Sequence, residues 1–196
     1  MILRDGALGA LNVLTLATGV AYAVLAARRN RLCWIAGAVS SICAAILFAT
    51  GKLPMLAALQ VFYVGMSVYG WLSWRRTSAD GELSVGVWPV AWHLGAALVL
   101  VAASFASAHW LRPGSVADWP LLDSLTTWFS LFATWLAARA RLENWLYWIV
   151  INAVTVFLSY SQKVWGMAVL SVLLMGIAAS GFVAWRRRYR AQAVIA

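Results

Sequence analysis

Apolar residues run through this chain in long blocks, and short polar breaks separate them. Each block comes close to the roughly 17–25 residues that a helix needs to cross a bilayer. The pattern predicts seven spans, at about 7–27, 32–50, 55–74, 90–108, 121–138, 145–160 and 166–185. Several lie near the short limit. The stretches 51–54 and Gln162-Lys163 read as tight hairpins between spans. Residues 77–89 form the longest polar loop, with Asp80-Gly81 as its turn signal.

The pattern also repeats. Gly70-Trp71-Leu72-Ser73-Trp74-Arg75-Arg76 returns as Gly181-Phe182-Val183-Ala184-Trp185-Arg186-Arg187. The interval that carries Arg76 onto Arg187 can be run backwards without a gap. It then pairs Gly65 with Gly176, Lys52 with Lys163, Trp34 with Trp145 and Arg28 with Arg139. A three-span unit has been duplicated, with the fourth span outside it. The expected fold is an all-α integral membrane protein of seven transmembrane helices in a 3+1+3 parallel repeat. The units are residues 1–76, a loop and linker helix over 77–120, a second bundle over 121–190, and a cytoplasmic tail over 191–196. Two like bundles that rock around a central site suit a transporter.

Composition agrees with a bilayer setting. Of 196 residues, 64% are hydrophobic and 11% charged, against about 25% charged in a soluble domain. Arg4 precedes the first apolar block, which reads as a span rather than a cleaved leader. The net charge of +9 would suggest nucleic acid in a soluble chain. Here the bases sit at span ends. Arg28, Arg29, Arg31, Arg75, Arg76, Arg139, Arg141, Arg186, Arg187, Arg188 and Arg190 share one side, leaving Arg4, Lys52, Arg112 and Lys163 for the other. That bias places the N-terminus outside and the C-terminus in the cytoplasm, and it excludes nucleic acid as the partner.

The candidate chemistry lies on spans six and three. At about 100° per residue, Trp148, Asn152 and Ser159 fall within about 40° of one another, flanked by Trp145 and Thr155. On span three, Gln60, Tyr63, Ser67, Trp71 and Trp74 share a face. The halves differ at these positions: Asn152 stands opposite Ser41 in the repeat, Trp148 opposite Gly37, Gln60 opposite Ser171, and Tyr63 opposite Leu174. Two walls, each with a carboxamide and aromatics, suit a flat heteroaromatic solute bearing hydroxyls. Polar groups in membrane helices also tie helices together, for about 0.6–2 kcal/mol each. That glue stands as the alternative for Gln60 or Asn152 taken singly. Trp71, Trp74 and Trp185 fit an interfacial belt. Asp123 follows Pro120 and suits either a helix start or an outer-mouth contact with the solute. Glu143 suits the start of span six, and His93 and His109 read as interfacial. Cys33 and Cys43 read as ordinary core residues.

No GxxxxGK, HExxH or GxSxG motif occurs, which argues against ATP hydrolysis and against an intramembrane hydrolase. No metal set or cofactor is expected, and no buried acid–base pair points to proton coupling, although Asp123 keeps it open. A scaffold without a solute is the remaining rival.

The stretches 60–74 (QVFYVGMSVYGWLSW), Asp123-Ser124 and 143–152 (ENWLYWIVIN) resemble the PnuC family of vitamin transporters, over nearly the whole chain. The resemblance implies a full-length, SWEET-like fold in the bacterial inner membrane. It implies uptake of nicotinamide riboside by facilitated diffusion, without ions or ATP, and trapping by a cytoplasmic kinase. A trimeric homo-oligomer fits the same resemblance. Riboside-type members carry Trp, Asn and Phe with three and then six residues between them. Here Trp148 and Asn152 match and Ser159 stands third, with Tyr160 or Phe157 nearby. Ser67 stands where Asn is frequent, and Ser171 where Tyr is. Thiamine-type relatives tend to carry Asp at the place of Asn152, so thiamine is the alternative solute.

Overall fold

The structure, a computed structural model, describes residues 2–52, 54–79, 82–111 and 119–195. The expected Asp80-Gly81 turn, Leu53 of the first hairpin and Arg112 lie outside them. Seven α-helices run through the described residues: α1 (Ile2–Ala27), α2 (Cys33–Thr50), α3 (Pro54–Thr77), α4 (Val90–Leu111), α5 (Pro120–Ala138), α6 (Asn144–Ser161) and α7 (Trp165–Ile195). Two short strands, β1 (Ser78–Ala79) and β2 (Glu82–Leu83), pair antiparallel. The expected span edges agree to within a few residues, with two exceptions. α1 begins earlier, and α7 continues past Trp185 to Ile195.

Five of the helices, α1 to α4 and α7, are long and apolar enough to cross a membrane on that ground alone. The chain is an α-helical, multi-pass membrane protein. α5 and α6 are not among the five. α5 carries Asp123, Ser124, Thr126, Thr127, Ser130 and Thr134; α6 carries Asn144, Asn152, Thr155, Ser159 and Ser161. Polar groups in a spanning helix turn from lipid toward protein or a wet cavity.

The chain divides into two compact units, Met1–Ser84 and Val85–Ala196. In the first, α2 packs against both α1 and α3. Trp34 of α2 is its centre: the ring meets Tyr22 and Trp74 edge-on, with centroids 5.6 and 5.4 Å away. α3 approaches this closely because Gly70 lies beneath the Trp34 ring, where a Cβ would collide with it. The Arg31 guanidinium sits 4.8 Å over Trp71.

In the second unit, α5 packs on α4 and α6, and α6 on α7. Trp145 is its centre, 5.5 Å from Trp185 at 84°, with Gly181 beneath its ring. Trp34 and Trp145 are separated by the repeat interval, as are Trp74 and Trp185, and Gly70 and Gly181. The same interval separates both ends of α2 from those of α6, and the end of α1 from that of α5.

Helix ends follow the same interval. Arg29, Lys52, Ala140 and Lys163 adopt left-handed backbones with φ of 58°, 58°, 51° and 60°. After α5 the Ala140 N–H donates to the Ala137 carbonyl and the Arg141 N–H to that of Leu136. After α1 the Arg29 N–H donates to Ala26 and the Asn30 N–H to Leu25. This is the Schellman closure, in which glycine is the usual left-handed residue.

The segment 85–88 is strapped across the α5–α6 turn. The Gly86 N–H donates to the Ala140 carbonyl, and the Leu142 N–H donates back to that of Gly86, at 3.0 and 2.9 Å. The Trp88 N–H donates to Glu143 Oε1 at 2.7 Å, and the Val85 N–H to Gln192 Oε1 at 3.1 Å. The helical extension of α7 thus has an anchor.

Candidate substrate site

The polar face of α6 is its buried face. Asn152 is 7% exposed and Ser159 6%, while Trp148 and Thr155 are half-buried. Leu146, Val150, Phe157 and Tyr160 hold the exposed side. Sequence periodicity therefore assigns the inward face of this helix correctly.

Asn152 is satisfied inside its own helix. Its Nδ2 donates to the Trp148 carbonyl at 2.7 Å, and Thr155 Oγ1 donates to that of Ile151 at 2.9 Å. Such back-bonds let polar side chains sit in a membrane helix without a partner on a neighbour. Among the described residues the Asn152 bond is not an interhelical one. The glue reading loses ground, and the second amide hydrogen and the carbonyl oxygen retain capacity for a solute.

Trp145 is placed differently. It is 4% exposed, edge-on to Trp185 and flat over Gly181, and so acts as the packing centre of the unit. Its Nε1 is buried with no hydrogen-bond partner, as is that of Trp34 in the first unit. Trp74 and Trp185 are 1% and 0% exposed and belong to the same clusters, not to an interfacial belt.

In the first unit, Gln60 and Tyr63 of α3 are half-buried and Ser67 is 5% exposed. Ser67 Oγ donates to the Tyr63 carbonyl at 2.9 Å, again within one helix. Asp123 is exposed in the first turn of α5, after Pro120. An acid there faces the positive end of the helix dipole. Its own carbonyl accepts from Thr126 and Thr127, at 2.8 and 2.9 Å.

The two units hold their aromatic bulk differently at one matched place. A Cβ on Gly37 would meet the Tyr22 ring at 3.0 Å and Ser67 Oγ at 3.3 Å. The counterparts of Gly37, Tyr22 and Ser67 in the second unit are Trp148, Ala133 and Ala178. The large ring comes from α1 in the first unit and from α6 in the second.

A cluster that sequence reading passed over lies beside α4. Glu143 makes no cap hydrogen bond to α6; Oε1 instead accepts the Trp88 N–H. His93 Nε2 stands 3.7 Å from that oxygen, and His93 Nδ1 lies 3.0 Å from the Tyr147 hydroxyl. His93 and Glu143 form a half-buried acid–base pair, each 17% exposed at the side chain. The signal was present, since both residues start spans on the same expected side. They border a cavity of about 580 Å³ in the second unit, which none of the eight candidate site residues lines.

Comparison with known proteins adds four findings. The family described as nicotinamide mononucleotide transporter matches residues 9–187. The nicotinamide riboside transporter PnuC of Escherichia coli K12 is 28% identical over 166 residues, covering 71% of this chain and 70% of its own. The riboflavin/roseoflavin transporter RibM of Streptomyces davaonensis is 27% identical over 181 residues, covering 88% of this chain and 73% of its own. A crystal structure of the vitamin B3 transporter PnuC has the same fold, with a TM-score of 0.74 at 21% identity over 92% of this chain and 82% of that one. The named relatives are transporters, not enzymes.

Proposed function

Because the chain belongs to the nicotinamide mononucleotide transporter family, whose pattern spans residues 9–187, we propose that it carries nicotinamide riboside into the cell. It acts by facilitated diffusion in the bacterial inner membrane, N-terminus outside, and a cytoplasmic kinase traps the product by phosphorylation. The Arg-rich ends of α1, α3, α5 and α7 support this orientation. The recurrence of helix ends and left-handed stops at one interval supports a 3+1+3 plan in which α4 joins two parallel three-helix units. The trimeric state is part of the same reading.

One observation carries the proposal. Asn152 and Ser159 are buried on a helix too polar to count as a span on composition alone, and the Asn152 amide is not used to join helices. Trp148 presents an indole beside that amide on the same face. A pyridinium ring gains from stacking and cation–π attraction on such a ring. The carboxamide of the solute and its ribose hydroxyls suit the amide and hydroxyl groups of Asn152 and Ser159.

The second reading is riboflavin, favoured by the RibM relative that covers 88% of this chain. Riboflavin too is a flat heteroaromatic carrying a hydroxylated chain. Titration of the purified protein with nicotinamide riboside, nicotinamide mononucleotide, thiamine and riboflavin, read by tryptophan fluorescence, separates the two. Saturable quenching by the riboside at the lowest concentration is expected. Tighter binding of riboflavin or thiamine, or no saturable response, would reject the assignment.

A further inference from the structure

The cavity beside α4 is a groove with one polar end. Its walls include Leu122 and Phe129 of α5 and Val150 and Val154 of α6, and its polar end holds His93 and Glu143. Val90, Leu146 and Val150, also on its rim, are 72%, 46% and 62% exposed. In a chain that crosses a membrane, such a rim opens onto acyl chains. From Glu143 to Val154 the groove follows α6 for about 16 Å. That is roughly half the hydrocarbon thickness of a bilayer, the depth of one leaflet.

Two atoms at the polar end are buried with no hydrogen-bond partner among the described residues: Glu143 Oε2 and His93 Nε2, the latter 3.7 Å from Glu143 Oε1. The other Glu143 oxygen accepts the Trp88 N–H. His93 Nδ1 and the Tyr147 hydroxyl share a hydrogen bond at 3.0 Å; in the tautomer where that hydroxyl donates, Nε2 carries the ring proton and can donate in turn. Among the described residues no lysine or arginine lines the groove. Arg139 and Arg141 stand on the turn just before Glu143, with Arg139 over the Trp135 ring and Arg141 on the Val87 carbonyl. Trp88 lines the groove and touches Trp135, with ring centroids 5.1 Å apart, so the turn and the groove end adjoin. An acid inside and two bases at the edge complement a zwitterionic head.

We propose that this groove binds one phospholipid with a primary ammonium head, of the phosphatidylethanolamine class. One acyl chain lies along α5 and α6. The ammonium donates to Glu143 Oε2, the phosphate faces Arg139 and Arg141, and an ester oxygen accepts from His93 Nε2. A choline head has no N–H to donate, and a glycerol head has no positive charge.

The test needs no transport assay, so it stands or falls apart from the solute assignment. Purified protein is equilibrated with equal amounts of phosphatidylethanolamine, phosphatidylcholine and phosphatidylglycerol, and native mass spectrometry reads what is retained. The expected result is one ethanolamine lipid held about ten-fold over either competitor, the weight of one charge-assisted hydrogen bond. Glu143→Gln keeps an acceptor for the Trp88 N–H and is expected to lose that preference. Val150→Trp fills the groove and is expected to retain no lipid of any head. Equal retention of the three lipids by the wild type overturns the proposal, as does unchanged preference in Glu143→Gln. Lipid-free oligomers would show that a second copy covers the groove, and they overturn it too.

Discussion

Trp145 meets Trp185 edge-to-face, 5.5 Å between centroids at 84°, because Gly181 lets α7 come flat under the indole. Edge-to-face pairs add about 0.5–1.5 kcal/mol beyond the area they bury. A methyl at Gly181 would lie 2.8 Å from three atoms of that ring, and one at Gly70 would lie closer still to Trp34. Both rings, Trp145 at 4% and Trp34 at 2% exposed, are locked in their cores and have nowhere to turn. The usual helical advantage of alanine over glycine, about 1 kcal/mol, is outweighed. Gly70→Ala and Gly181→Ala are each expected to destabilise by about 1–3 kcal/mol. Thermal unfolding in detergent checks this; a rise in midpoint for either would contradict the packing described.

Gly86→Ala offers a contrast. There the methyl would meet only the guanidinium tip of Arg141, the far end of a flexible side chain. The tip swings away and gives up a 3.3 Å bond to the Val87 carbonyl. The expected loss is under about 1 kcal/mol, the size of one modest hydrogen bond. Comparing its unfolding midpoint with that of Gly70→Ala tests the ranking. An equal or larger fall for Gly86→Ala would mean that the strap is rigid.

Ala140 is a non-glycine residue in a left-handed helix closure, with φ of 51°. That backbone costs an alanine roughly 1 kcal/mol relative to glycine. Its side chain is 2% exposed and adds only a methyl to the core. Ala140→Gly is therefore expected to stabilise by a few tenths to about 1 kcal/mol after the entropy of glycine is counted. A lowered unfolding midpoint would show that the methyl packs better than the strain costs.

Much of this architecture is legible in the sequence, and the failures have physical causes. Helix ends emerge to within a few residues because lipid imposes an uninterrupted apolar length, and the inward face of α6 follows from its period. Angle alone groups Trp145 with the solute wall, since it cannot tell a packed ring from a lining one. Only Gly181, on the following helix, identifies its partner surface. The left-handed stops at Arg29 and Ala140 are hidden because neither is glycine. The strap from Gly86 to the 140–142 backbone has no side-chain signature at all. Glu143 reads as a helix start because it precedes α6 directly, yet its carboxylate accepts the Trp88 N–H.

Asn152 provides the sharpest test of the solute face. Leucine there is similar in size, keeps the helix apolar and removes only the amide. Since the Nδ2 bond stays within α6, its loss leaves no partner stranded on another helix. Asn152→Leu is expected to reduce riboside uptake at least about ten-fold, because a site built around a hydrogen bond discriminates strongly when it is gone. Membrane abundance should hold. Asn152→Asp should shift preference from riboside toward thiamine. Unchanged uptake in Asn152→Leu at equal abundance would remove Asn152 from the site.

The role of Trp148 can be separated from packing. It is half-buried, unlike Trp145, and it stands where the first unit has Gly37 against the Tyr22 ring; Ala133 replaces Tyr22 in the second unit, so binding and unfolding are measured side by side. Stacking of a heteroaromatic on an aromatic side chain is worth about 1–3 kcal/mol. Trp148→Ala is therefore expected to weaken riboside binding about ten-fold or more, while Trp148→Phe keeps most of it. Trp165→Ala serves as the control, since Trp165 is 58% exposed and touches Tyr160 alone among the aromatic residues described. Titration of the three variants by calorimetry, which does not depend on indole emission, reads the difference. If Trp148→Ala and Trp165→Ala bind the riboside alike, the indole at 148 is no part of the solute path.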